Sequence, residues 1–369
     1  MAANSSGLAP NDPLPHCKDH DAIHRLHLVW YGGVLALALP LNLVALGIFL
    51  GAYRLRTVVT VYMANLAACD LLFTLALPLR LQYYATHAWA MGDLLCQVAG
   101  SLFQINLYGS CLFLACINVD RFLALAYPLR ARGLRRPQVA WRVCGGVWAL
   151  IVLGSAPVAL AHDTSQCQGP NGTLESRCFE SFSQRAWREE LLPLLALAEV
   201  LGFLLPLGAV VCCSVLTLSA LLRRIRAGGG PALRRRKTVN LLVVSATIFV
   251  LCFAPYNVAL AAYGLCKAGV VGSGPESRDR LRLALQLTVL LASANCCLDP
   301  LVYYFSTEGF RRTFRTGRAE SWGMTLRSGG RGTGTGRGQG ALVLAPEGRP
   351  HGRGEAGRRS GGGGRESVV

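Results

Sequence analysis

Charged side chains interrupt several long apolar stretches of this sequence. The stretch ACINVDRFLALAYPLR, residues 115–130, places Asp120 directly before Arg121. Nearer the N-terminus, Arg80 follows Pro78 by two residues within another apolar stretch. An ionisable side chain is costly to bury in apolar surroundings unless it is paired or has a task, so each of these residues is a functional candidate.

The arginines suggest a site for an anion. Arg80 precedes Tyr83 and Tyr84 by about one helical turn, and Arg282 begins the last apolar stretch. A guanidinium group offers planar N–H donors that suit a phosphate or a carboxylate. The alternative is that Arg80 pairs with Glu199, an acid in the fifth apolar stretch, and such a pair would weaken the case for an anion site.

A second polar set lies deeper in the apolar stretches and consists of Asp70, Asn106, Ser110, Asn295 and Asp299. The two members from 106 and 110, like the two from 295 and 299, are four residues apart and so share a helix face. Carboxylate and neutral oxygens together suit a hard cation such as sodium. The alternative is a water-filled polar network with one carboxyl protonated, because two nearby carboxylates do not both ionise cheaply.

Composition and periodicity predict an all-α membrane protein. The 369 residues are 52% hydrophobic and only 15% charged. A helix needs about 20 apolar residues to cross a bilayer, and irregular chain cannot satisfy its backbone in lipid. Seven stretches meet this length: 27–52, 57–79, 98–126, 142–161, 191–222, 239–264 and 283–305.

Basic residues concentrate in the first, third and fifth connections and at the start of the tail. This bias predicts a multi-pass plasma-membrane protein with an extracellular N-terminus and a cytoplasmic C-terminus. The net charge of +17 then belongs to the inner face, where it favours anionic lipids. No basic aqueous face with aromatic platforms predicts binding of nucleic acid.

The chain divides into three predicted parts. Residues 1–25 form an extracellular arm, 26–315 a seven-helix domain with an interfacial helix, and 316–369 a Gly/Arg-rich tail that we expect to be disordered. Asn4 and Asn171 begin glycosylation sequons on the predicted outer side.

Five cysteines fall on the predicted extracellular side, where the oxidising environment favours pairing: Cys17, Cys96, Cys167, Cys178 and Cys266. A bond from Cys96, at the start of the third helix, to Cys178 would fix the following loop over the mouth of the bundle. One further pair is possible among the other three, and the sequence does not select it.

Several motifs in register resemble those of the rhodopsin-like (class A) G-protein-coupled receptors. The match covers about residues 25–315 and includes Asn42, NLAACD (65–70), Cys96, DRF (120–122), Trp148, Pro206, CFAPY (252–256) and DPLVY (299–303). Within that family the chain is most similar to the non-Edg lysophosphatidic acid receptors. The segments RLHLV, LPLRLQYYATHAW, CFESFS, RRRKTV and CCLDPLVYYFSTEGF carry this second resemblance.

The resemblance implies roles at the cytoplasmic half of the bundle. Asp120 would hold Arg121 at rest and release it to a heterotrimeric G protein, with Tyr303 as part of the switch. A salt bridge that merely marks the end of the helix is the alternative. The deep polar set would bind allosteric sodium. Phe249, Phe253 and Pro255 would form a packing switch, or else belong simply to the core.

The resemblance also implies a lysophospholipid ligand. Arg80 and Arg282 would hold its phosphate, and the remaining ligand contacts would come from Tyr84, Phe103, Gln104, Leu107 and Leu260. A purinergic-type nucleotide ligand is disfavoured because Asn257 and Leu260 stand where that group usually has histidine and a basic residue. A carboxylic acid or a peptide remains an alternative ligand.

Further partners are expected at the inner face. Residues 306–315 predict an amphipathic interfacial helix. The C-terminal ESVV, with Ser367 and Val369, fits a peptide captured by PDZ domains. Arrestin is a partner that the family resemblance implies.

A transporter or a membrane enzyme is the alternative of a different class. A transporter would show related halves with broken helices near the midplane, and no such internal similarity is visible. An enzyme would show a nucleophile–base or metal-ligand set in register, and the seven histidines lack such spacing.

Overall fold

The structure is a computed structural model that describes residues 21–51, 56–161, 164–168, 173–178, 191–226, 232–272, 274–306 and 310. Seven helices among these residues are long and apolar enough to cross a membrane. The predicted seven-helix, all-α fold is therefore confirmed. Several predicted features lie outside the described residues: Asn4, Asn171, most of the interfacial helix, the Gly/Arg-rich tail, Ser367 and Val369.

Four helices make up the first half of the bundle: α1 (Asp21–Gly51), α2 (Val58–Thr86), α3 (Gly92–Ala126) and α4 (Pro137–Ala161). A single 3₁₀ turn, Arg130–Arg132, lies between α3 and α4. Two short antiparallel strands, β1 (Ser165–Gln168) and β2 (Leu174–Arg177), follow at the end of the bundle where Cys96 lies, which is called the outer end below.

The last three helices are each divided. Helix α5 joins Leu192–Ala198, a π-helical segment Glu199–Leu204, and Leu205–Arg226. Helix α6 joins Ala232–Ile248, a π-helical segment Phe249–Phe253, and Ala254–Lys267. Helix α7 joins Pro275–Ser293 and Asn295–Ser306.

Several helices extend farther outward than the apolar stretches predicted. Helix α1 begins at Asp21 rather than 27, α2 continues to Thr86, and α7 begins at Pro275. The reason is physical: hydropathy marks the residues that lie in hydrocarbon, whereas the backbone stays helical into the polar mouth. These extra turns matter because they carry side chains into the outer cavity.

Side chains fix the ends of α2. The Thr57 and Thr60 side chains form a reciprocal capping box at its N-terminus. At its C-terminus His87 adopts a left-handed conformation, with φ of 59°. The turn that follows is tied to β2, since the Trp89 N–H donates to the Ser176 carbonyl over 2.8 Å.

Polar bonds between helices hold the middle of the bundle. The Asn42 side chain on α1 donates to the Cys296 carbonyl on α7 over 2.9 Å. The Trp148 indole N–H on α4 donates to the Asn65 side-chain oxygen on α2 over 2.8 Å. Apolar lipid supplies no competing partner and little hydrophobic drive between helices, so such bonds help to select the packing.

The predicted disulfide between Cys96 and Cys178 is present, with the two Cα atoms 5.9 Å apart. It joins the outer end of α3 to the residue directly after β2. Cys167 on β1 is also disulfide-bonded, while Cys266 is a buried thiol. The strand pair is thus covalently anchored over the mouth of the bundle.

We expect Trp148→Phe to lower the thermal stability of the purified protein in lipid nanodiscs. The ring is kept, but the hydrogen bond to Asn65 is lost, and such bonds contribute about 0.6 kcal/mol on average and up to about 1.7 kcal/mol. The matched control is Trp141→Phe, on the same helix and 47% exposed. Equal melting temperatures for the two variants would contradict this prediction.

Candidate functional site

A cavity of about 310 Å³ opens between the outer halves of the helices. Among its lining residues are six of the seven predicted ligand contacts: Arg80, Tyr84, Phe103, Gln104, Leu260 and Arg282. Leu107 corrects the prediction: it lies one turn below Phe103, only 1% exposed, and packs into the main core. Cys178 also contributes to the wall, so the disulfide positions part of the cavity.

Arg80 is the buried cation of this cavity. It is 4% exposed, and one guanidinium nitrogen donates to the Ala99 carbonyl on α3 over 3.0 Å. Its Cζ atom lies 5.5 Å from the ring centre of Phe103 and 6.0 Å from that of Tyr31. Aromatic faces attract a guanidinium without neutralising it.

The alternative partner of Arg80 is not used in this structure. No ion pair joins Arg80 to Glu199 within the part of the chain that the structure describes. Glu199 begins the π-helical segment of α5, and its Oε1 atom is buried there with no hydrogen-bond partner among the described residues. Because this pair is absent, the objection to Arg80 as an anion-binding residue does not apply.

The cavity also contains residues that the sequence analysis did not select. His24 and His27 enter from α1, Tyr108 from α3, and Tyr256 and Tyr263 from α6. His24 was missed because α1 was expected to begin at residue 27 rather than at 21, and His27 because a histidine is not conspicuous in an apolar stretch. The signal that could have found them is their spacing of three residues, which places both on one face of a helix.

The far wall of the cavity is apolar and reaches the outside of the bundle between α4 and α5. Leu150 and Leu197 both line it, yet they are 41% and 55% exposed. Tyr108 closes the wall against Gly202, where an added Cβ would lie 2.5 Å from the ring. An apolar wall that continues to lipid-facing side chains suits a hydrocarbon chain.

All five residues of the deep polar set are buried, and two of them are hydrogen-bonded to each other. Asn106 donates to Asp70 over 2.9 Å, and Asp70, Ser110, Asn295 and Asp299 are all 0% exposed. One oxygen of Asp70, both oxygens of Asp299 and the Ser110 hydroxyl have no hydrogen-bond partner among the described residues. Buried oxygens without donors are what a small cation requires, so these side chains fit a sodium ion.

Asp120 has a different partner from the one expected. Its carboxylate is held by Arg135, with Nε at 2.8 Å from Oδ1 and Nη2 at 3.3 Å from Oδ2. Asp120 is 3% exposed and Arg135 is 31% exposed. The expected contact between Asp120 and Arg121 is therefore replaced by a forked contact to the connection between α3 and α4.

Aromatic rings pack between this end and the centre of the bundle. Tyr303 is fully buried, with its ring centre 5.4 Å from Phe49 and 6.2 Å from Phe310. Phe249 and Phe253 stack edge to face at 5.2 Å within the π-helical segment of α6. That segment ends two residues before Pro255, which has no N–H to continue an ordinary α-helical ladder.

Residues 41–303 match the family described as 7 transmembrane receptor (rhodopsin family). The chain belongs to this family. It is therefore a receptor and not an enzyme, as the sequence predicted.

Proteins of similar sequence include receptors named for lysophosphatidic acid. This receptor is 55% identical to "Lysophosphatidic acid receptor 5" of Bos taurus over 89% of its length and 88% of the relative's. It is 55% identical to the protein of the same name from Mus musculus, over 85% and 84% of the two chains. It is 36% identical to "Lysophosphatidic acid receptor 6" of Homo sapiens, over 81% and 86%.

The Asp120–Arg135 contact predicts a signalling phenotype. In Arg135→Ala the carboxylate loses its partner and becomes available to hold Arg121, so we expect weaker signalling. A partly exposed ion pair is worth up to about 1 kcal/mol, and the expected loss of agonist potency is therefore about threefold to fivefold. The measurement is G-protein activation at equal surface expression.

The control for this experiment is Arg136→Ala, since Arg136 is the neighbouring exposed arginine. The double variant Asp120→Arg with Arg135→Asp is a second test of the same contact. It restores an ion pair between the two positions, but the acid no longer lies on α3. Stronger signalling in Arg135→Ala than in Arg136→Ala would contradict the assignment.

Proposed function

We propose that this receptor binds a lysophospholipid with a phosphate headgroup, with lysophosphatidic acid as the first candidate. The observation that carries the proposal is the buried Arg80 guanidinium in a cavity whose far wall is apolar and reaches the bilayer. The names of the similar receptors support the same ligand class. Head and tail of such a lipid need opposite chemistry, and the cavity offers both.

The phosphate binds between Arg80 on α2 and Arg282 on α7, which line the same cavity. Two guanidinium groups satisfy several phosphate oxygens at once and discriminate against neutral headgroups. The acyl chain lies along the apolar wall toward Leu150 and Leu197. Since these side chains face lipid, the chain enters from the outer leaflet between α4 and α5.

Binding at the outer cavity is transmitted to heterotrimeric G proteins at the inner face. The N-terminus is extracellular and the C-terminus cytoplasmic, in the plasma membrane. The basic loops attract anionic lipids of the inner leaflet. The inner face also binds arrestin. Ser367 and Val369 belong to a C-terminal peptide that a PDZ domain binds. Sodium at Asp70 and Asp299 favours the resting state and is released on activation.

We expect Arg80→Ala to reduce the potency of lysophosphatidic acid by at least about tenfold, because a charge-assisted hydrogen bond contributes about 1.5–3 kcal/mol. Arg80→Lys keeps the charge but loses the planar fork, so it should restore only part of the potency. The measurement is G-protein activation by graded ligand at equal surface expression.

The matched control is Arg280→Ala. Arg280 lies near Arg282 in the sequence but is 72% exposed and contacts Glu276 at 3.4 Å. Unchanged potency in Arg80→Ala would remove Arg80 from the site. Stronger activation by a nucleotide, a peptide or the carboxylate counterpart of the same lipid would replace the proposed ligand class.

We expect sodium to lower agonist affinity in the wild type. We expect Asp70→Asn to abolish this effect, because the substitution removes a carboxylate that we propose as a sodium ligand. Allosteric couplings commonly change affinity by about fivefold or more. The measurement is agonist binding in sodium chloride against an organic-cation chloride. Asp93→Asn, which changes an exposed acid at the outer end of α3, is the control. Equal sodium sensitivity in both variants would exclude the site.

A further inference from the structure

His27 lines the cavity with one of its two ring nitrogens already hydrogen-bonded. Its Nδ1 atom lies 2.8 Å from the Ile23 carbonyl oxygen, one helical turn earlier. A carbonyl oxygen only accepts, so Nδ1 must carry the proton. In the neutral ring Nε2 is then an acceptor, and it has no hydrogen-bond partner among the described residues.

Packing fixes the orientation of this ring. The His27 ring stacks on Tyr84 with the centroids 4.5 Å apart and an angle of 25°. It also meets the Tyr31 ring edge to face at 5.7 Å. A ring that is held by one backbone bond and two aromatic neighbours cannot turn over to exchange its nitrogens, so Nε2 is the atom left for a ligand.

Two arginines lie around the cavity that the His27 ring lines. Arg80 on α2 is close enough to act on the ring, and Arg282 on α7 lines the same cavity. The other titratable groups packed here are Tyr31 on α1 and Tyr84 on α2, which contact the ring, and His24 on α1, which contacts Tyr84. Like charges nearby oppose a proton on the buried ring, and an anion between them reverses that balance.

We propose that His27 is a further headgroup-binding residue and that it shares one proton with the bound phosphate. In the neutral ring, Nε2 presents only a lone pair to the ligand. That lone pair repels the oxygens of a phosphate dianion, because neither side supplies a proton for a hydrogen bond. The proton therefore either arrives on the phosphate monoanion, which donates P–O–H to Nε2, or is taken from solvent onto Nε2, which then donates to the phosphate. The complex contains the same single proton in both cases. This inference rests on the proposed function.

Proton uptake gives the site a pH dependence. Well above the second pKa of the phosphate, about 6, and the ordinary pKa of histidine, about 6.5, the free ligand is a dianion and a free histidine ring is neutral. Binding must then take up a proton, so affinity falls with rising pH by up to about tenfold per pH unit. An acidic extracellular medium sensitises the receptor to a phosphate lipid.

The decisive measurement is lysophosphatidic acid binding to purified receptor in nanodiscs, at several values from about pH 6.5 to about pH 8.5, a range above the second pKa of the phosphate in which the free ligand is mostly a dianion. For the wild type we expect the falling affinity described above. For His27→Gln we expect no such slope, because the glutamine amide donates a hydrogen bond without titrating. The phosphate titrates identically in both proteins, so the difference in slope belongs to His27.

Two controls keep the outcome readable. His87→Gln alters the histidine that stacks on His24 at 4.4 Å but does not line the cavity, and it should keep the wild-type slope. Calorimetry of the wild type in two buffers of different protonation enthalpy counts the protons directly and needs no variant. We expect about one proton taken up near pH 8, where ring and phosphate are both deprotonated.

The outcomes separate this inference from the function on which it rests. Binding without proton uptake, or an equal slope in wild type and His27→Gln, overturns the role of His27 and leaves the lysophospholipid receptor intact. No binding of lysophosphatidic acid to the wild type at any pH overturns both.

Discussion

The arrangement of the outer cavity depends on one buried cation. Arg80 has lost nearly all of its water, and its contacts include a carbonyl bond to Ala99 and the faces of Phe103 and Tyr31. Neither kind of contact neutralises the charge. A cation held in this way strongly favours the arrival of an anion, and the surrounding apolar wall limits which anions are retained. A phosphate with a hydrocarbon chain satisfies both conditions.

The cavity depends on the covalent and hydrogen-bonded anchoring of its mouth. The Cys96–Cys178 disulfide and the Trp89–Ser176 backbone bond hold β2 against α2 and α3. Below the cavity lies the buried acidic pair, Asp70 and Asp299, whose oxygens are short of donors. Such a cluster is costly unless a cation or protons satisfy it, so its free energy depends on whether the cation is bound. That property is what a transmitting element needs.

The sequence was sufficient for features that are costly in lipid. Arg80, Asp70 and Asp299 were found because an ionisable residue in an apolar stretch requires a partner or a task. Seven apolar stretches predicted the seven helices for the same reason. Cys96 and Cys178 were paired from compartment and position, and the structure has that bond.

Other features depend on tertiary contacts that no local pattern contains. Arg135 reaches Asp120 only because the connection after α3 turns back, whereas the sequence offered the adjacent Arg121. Leu107 was placed in the cavity by helical spacing from Phe103, but depth in the bundle buries it. His27 was overlooked because histidine is not conspicuous in an apolar stretch, and its significance comes from the bond to Ile23 that fixes its tautomer.

The most direct test of the account is an experimental structure of the receptor in nanodiscs with lysophosphatidic acid bound. The account predicts phosphate density within hydrogen-bond distance of the Arg80 guanidinium, with the acyl chain directed between α4 and α5. Phosphate density at the level of the lipid headgroups outside the helices, with the cavity beside Arg80 filled only by solvent, would contradict it.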